Sequence, residues 1–135
     1  MGEYAEKLNT EKLLKKLTKI WYSTLVDHHK DRDCHWYITT DYSYDGTVSY
    51  IVEHNGYVSK DVYRVFTRKL FAEKFLIEIL INTIKDEIKT WLAIIRKNEC
   101  IEYTFGDRTP EEAREHFLKL YKRVILIERY YNEWK

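Results

Sequence analysis

Apolar residues follow three successive rhythms along this chain. Over residues 3–27, Leu13, Leu14, Leu17, Ile20, Trp21 and Leu25 recur at three- and four-residue spacing, with Lys12, Lys15, Lys16 and Lys19 on the opposite face. That is the signature of an amphipathic helix. From Asp33 to about Tyr57 the period becomes two, through His35-Trp36-Tyr37-Ile38-Thr39 and Val48-Ser49-Tyr50-Ile51-Val52. Asp45-Gly46 and Asn55-Gly56 punctuate these runs, and both dipeptides suit the two-residue type I′ turn. The pattern predicts a three-stranded antiparallel meander whose third strand is short, at Tyr57-Val58.

A helical rhythm then returns. Ser59 reads as an N-cap with Asp61 in the first turn, and Val62, Phe66, Leu70, Leu76, Leu80, Ile84, Ile88, Trp91 and Ile95 keep the period to about Asn98. One helix of that span would run to about 60 Å at ~1.5 Å per residue. Thr83-Ile84-Lys85-Asp86 resembles a capping box, which predicts a break near Asn82. The Phe75–Ile81 portion is apolar nearly all round and is the expected central core helix. Ile101, Tyr103 and Phe105 alternate with polar residues, as a short fourth strand or linker does. Thr109-Pro110-Glu111-Glu112 is the clearest helix start in the chain, and Ala113, Phe117, Leu120–Tyr121, Val124, Ile127–Glu128, Tyr131 and Trp134 follow on one face. The expected fold is α+β, one domain over residues 1–135: an N-terminal amphipathic helix, the meander, a long or kinked central helix and a C-terminal helix.

Composition narrows the function classes. With 44% hydrophobic and 33% charged residues, the chain is neither a disordered tail nor a membrane protein. The longest apolar stretch is interrupted by Glu78 and is too short for a bilayer. Twenty-three basic against 22 acidic residues leave a net charge of +1, so phosphate binding would need a local patch. Cys34 and Cys100 are the only cysteines, and the first twenty residues are polar rather than an apolar leader. Reduced thiols and a cytoplasmic location are the expectation. The absence of Gln and the abundance of Lys and Glu point to a thermophile or its virus, although an A+T-rich genome leaves a similar mark.

Candidate chemistry concentrates between Asp27 and His35. If Asp45-Gly46 closes a two-residue turn, Tyr37 lies opposite His54 and His35 sits on the diagonal, about 7–8 Å away. His28, Asp33, His35 and His54 then form a candidate set for a divalent metal, able to activate water in a hydrolase or nuclease. The competing reading places these histidines at a helix C-terminus, where cations are favoured in any case. No H-x-x-x-H spacing supports the metal, and Val52-Glu53-His54 lacks the Lys of a nuclease E-x-K.

A second candidate is the lysine face Lys12, Lys15, Lys16 and Lys19, with strand tyrosines available for stacking on bases. The third is the aromatic load. Aromatics make up 16% of the chain, with 12 Tyr, and the C-terminus carries Tyr130, Tyr131 and Trp134. Tyrosine collects at interfaces because it buries much area at little entropic cost. Neither a phosphate-cradling glycine loop nor a G-x-S-x-G elbow is present. The leading expectation is therefore a non-enzymatic interaction module without an assigned cofactor. It would form a homodimer sharing the long central helix, or bind a protein partner. A His/Asp metal-dependent hydrolase or nuclease is the runner-up, and nucleic-acid binding through the first helix comes third.

Overall fold

The computed structural model describes residues 9–24, 35–55, 60–97 and 108–134. The elements run α1 (Thr10–Thr24), β1 (His35–Tyr42), β2 (Val48–Asn55), β3 (Lys60–Phe66), α2 (Lys69–Arg96) and α3 (Pro110–Trp134). The strands form one antiparallel sheet in the order β1-β2-β3, so the fold is α+β with a meander between the first two helices.

The third strand is not where periodicity places it. Residues 60–66 pair with β2 rather than opening a helix, and Tyr57-Val58 and Ser59 lie outside the described residues. Val62, Tyr63, Val65 and Phe66 give this segment the β-branched and aromatic content that suits a pleated surface. The four-residue spacing of Val62, Phe66 and Leu70 is a coincidence spanning two elements. α2 starts at Lys69, with Arg68 at the N-cap in extended geometry and no side-chain cap.

Pairing of β2 with β3 slips between Val52↔Arg64 and Glu53↔Val62, so Tyr63 is an extra residue in β3, a bulge. Beyond the slip Arg64 lies on the face turned to α2. Its guanidinium sits 5.2 Å from the Phe66 ring centroid and 5.5 Å from that of Phe75.

α2 is continuous over 28 residues, about 42 Å at ~1.5 Å per residue. The expected break near Asn82 is absent. Ile81, Ile84 and Ile88 on either side of the capping-box sequence are fully or almost fully buried, and a break there would withdraw them from the core. Tertiary packing overrides a local stop signal.

One face of α2 meets the sheet and the others meet α1 and α3. Leu76, Ile77, Leu80, Ile81, Ile84, Ile88, Trp91 and Ile95 are its buried side chains. The sheet contributes Val52, which has no exposed surface, with Trp36, Ile38, Tyr50 and Phe66 packed around it. Leu13, Leu17, Ile20 and Trp21 dock α1, and Ala113, Phe117, Leu120, Val124 and Tyr131 dock α3. Each fully buried aliphatic side chain contributes about 1.5–3 kcal/mol, which is why α2, sharing three interfaces, organises the fold. No helix among the described residues is long and apolar enough to cross a membrane.

Candidate functional site

The β1–β2 loop decides what the meander can assemble. Ser43 N–H donates to Thr47 C=O at 3.0 Å, and Gly46 N–H donates to Ser43 C=O at 3.1 Å. Tyr44, Asp45 and Gly46 therefore form a three-residue loop, with Gly46 taking the positive φ of 85° that closes it. Asp45 Oδ1 accepts the Thr47 N–H at 3.0 Å and the Thr47 hydroxyl at 2.7 Å, and also accepts from the Ser43 hydroxyl. Those donors, Ser43 first, hold the Asp45 carboxyl down at about 2. A carboxylate receiving the amide two residues on is an Asx turn, which stabilises the three-residue form over the expected two-residue one.

One extra loop residue moves the register by one. Trp36, not Tyr37, is the partner of His54, while His35 pairs with Asn55 and Tyr37 with Glu53. Partners share a sheet face and adjacent positions alternate, so His35 and His54 occupy positions of opposite parity. The His54 imidazole stacks on Trp36, with ring centroids 4.4 Å apart. The geometry that was to join His35 to His54 is absent, and His28 and Asp33 lie outside the described residues. Among the described residues no group of three or more His, Cys, Asp or Glu is placed to hold a metal ion.

Periodicity also does not single out Glu53, which is buried on the sheet face turned from α2, where its Oε2 accepts the Thr39 hydroxyl at 2.6 Å. The one available signal is the charged side chain in an otherwise apolar and aromatic strand.

The C-terminal helix presents more surface than any other element. It begins as its sequence predicts. Glu112 N–H donates to Thr109 Oγ1 at 3.2 Å, Thr109 N–H donates back to Glu112 Oε1 at 3.0 Å, and these bonds lower the Glu112 pKa. Tyr131, expected at an interface, is instead 2% exposed within the chain. Its hydroxyl donates to Lys74 C=O at 3.3 Å and faces Glu78 at 3.4 Å. Burial, then the Glu78 charge, push its pKa up to about 12. Tyr130 and Trp134 are half-buried, their rings 6.1 Å apart.

A second apolar row borders this core, with Tyr121 packed against it. Leu118 and Leu126 are exposed, Leu126 by 62%, and Tyr121 and Ile125 are half-buried between them. Tyr121, Ile125 and Leu126 line a shallow groove of about 400 Å³ with Lys122 and Arg129. A further groove, about 580 Å³, continues from Leu118 and Arg114 onto Leu92 and Ala93 of α2. Beside these rows Lys85 holds the Glu128 carboxylate at 3.1 Å.

The lysine face of α1 is where periodicity puts it, with Lys12, Lys15, Lys16 and Lys19 all exposed. Lys12 and Lys16 border a groove of about 570 Å³ whose other wall is Leu126, Ile127 and Tyr130 of α3. No protein-family model, no curated protein and no solved structure matches this chain.

Proposed function

We infer that the protein is a small interaction module that self-associates through the outward face of α3. The observation carrying this reading is that α3 is apolar on two sides. Ala113, Phe117, Leu120, Val124 and Tyr131 are spent on the core, while Leu118, Ile125 and Leu126 form a second row beside Tyr121, which packs against the core. α3 already packs on α1 and α2, so an apolar row that neither of them covers calls for a further partner. A second stripe left in water forgoes about 25 cal/mol for each Å² of apolar surface, recovered only when another surface covers it.

A second copy supplies a matching surface by construction, because a two-fold axis sets a patch against itself. Antiparallel pairing centred on Tyr121 sets Arg114, seven residues before it, against Glu128, seven after it, and does so twice. Glu128 is already held by Lys85, so the apolar row, and not this charge pair, carries the association. Along the long central helix only Leu70 and Phe71, next to its start, are exposed, and its other large apolar side chains are buried or packed against the core, which makes it the poorer choice for the shared element.

Sedimentation velocity across micromolar to near-millimolar concentrations tests the reading. A dimer is expected for the parent chain, and monomers with unchanged circular dichroism for Leu118→Glu and Ile125→Glu. A parent chain that stays monomeric throughout, or glutamate variants that remain dimeric, would refute it.

A further inference from the structure

We propose that the groove between α1 and α3 is a binding site for the phosphate backbone of nucleic acid, built from two antiparallel rows of cations. On α1 the row is Asn9, Lys12, Lys16, Lys19 and Ser23; on α3 it is His116, Lys119, Arg123, Leu126 and Tyr130. Each follows three- and four-residue spacing, so each lies along one side of its helix. Two contacts align them. At one end His116 Nε2 is 2.9 Å from Ser23 C=O. At the other, Lys12 and Lys16 share a groove with Leu126 and Tyr130. Between these anchors Lys16 and Lys19 stand beside Lys119 and Arg123. The helices run antiparallel here, and the two rows extend about 21 Å at ~1.5 Å per residue.

Five cations thus lie along the α1–α3 seam, with Lys12 and Lys16 on the groove itself and no acidic residue in either row. All five are exposed, and none makes an ion pair with a described residue. The flanking acids are Glu11, Glu115 and Glu133. Glu11 already bonds Lys69 at 3.3 Å, and Lys15 and Lys122 occupy the same shoulders as the others. The chain as a whole carries +1, so its residues outside these five cations sum to −4.

Neighbours within a row stand about 5–6 Å apart at Cβ, inside the ~8–10 Å screening length at physiological salt. The five cations therefore repel one another, and a linear polyanion relieves that repulsion along its whole length. Duplex DNA offers one phosphate per about 1.7 Å of axis, so a channel of this length meets many. The groove floor of Leu126, Ile127 and Tyr130 supports the lysine stems while their heads reach outward. No residue here is placed to read base edges, so binding is independent of sequence.

Titration of the full chain with a fluorescein-labelled twenty-base-pair DNA duplex, and with one of its strands alone, tests the proposal by anisotropy. Retained affinity for either probe that falls steeply with salt supports it. With all five cations engaged, a slope of about 0.9 per cation gives a loss on the order of 500-fold between about 50 and 200 mM salt on duplex. Lys16→Glu with Arg123→Glu should abolish binding, whereas Arg68→Glu with Lys97→Glu, exposed cations outside both the channel and the α3 grooves, should leave most of it. The first pair leaves Leu118, Tyr121, Ile125 and Leu126 in place, and sedimentation velocity on the same variant keeps its outcome separable from that of self-association. No binding of either DNA at low salt, binding of heparin alone, or equal loss in both charge-reversed pairs would overturn the proposal.

Discussion

Replacing Gly46 with Ala isolates the backbone term that sets the β1–β2 register. Gly46 has a φ of 85°, and a Cβ built there meets no atom within 4 Å. The steric contribution from neighbours is therefore absent, and only the left-handed conformation itself costs. That cost is about 1–2 kcal/mol for an ordinary L-residue. Ala also narrows the unfolded ensemble, which offsets about 0.4–1 kcal/mol of that cost. The expected net loss is about 1 kcal/mol, equivalent to about 3–5 °C in Tm for a domain of this size.

Asn tolerates the left-handed region better than Ala, so Gly46→Asn should lose less than half as much. Asp45→Ala, which strips the acceptor from Thr47 N–H and the hydroxyls of Ser43 and Thr47, should destabilise without touching φ at Gly46. Urea unfolding with a shared m-value reads all three. An Ala variant as stable as the parent, or an Asn variant no better than Ala, would mean that the loop is not closed by a left-handed residue. The three-residue loop and the Trp36–His54 pairing would then both be wrong.

Two further outcomes follow from the packing. Val52→Ala should cost about 1.5–3 kcal/mol through lost burial and the cavity beneath α2. Its neighbour Ile51, on the other face beside the exposed Val65, should cost under about 1 kcal/mol when cut to Ala. Comparable losses at both positions in thermal unfolding would contradict the placing of Val52, and not Ile51, against α2. Tyr131 titrates at about 12 in the folded chain, against about 10 unfolded. Its contribution is complete below about pH 10 and is lost as pH rises toward 12, because the unfolded chain releases the proton first. Tyr131→Phe should flatten the alkaline limb of the stability curve relative to the parent, and an unchanged limb would refute the assignment.

Local signals determined much of this protein by themselves. The amphipathic stripe of α1, the capping box at Thr109 and Glu112, the two meander strands and the core role of Leu76 to Ile81 are all readable in order along the chain. Each depends on residues within a few positions of one another, where helical or strand spacing is a reliable guide. The errors arose where distant segments compete with local preference. Residues 60–66 became a strand because β2 offered hydrogen-bond partners that no period reveals, and α2 runs through its capping-box sequence because Ile84 and Ile88 have a core to fill.

The candidate sites divide in the same way. The lysine face of α1 is visible in the sequence, but Lys119 and Arg123 join it only because two helices a hundred residues apart lie side by side. Conversely, the His35–His54 pair dissolves because one residue in a loop, held by the Asp45 carboxylate, shifts every partner across the hairpin. A strand alternates faces with period two, so a one-residue displacement exchanges the faces completely. Only the tertiary structure could settle that parity.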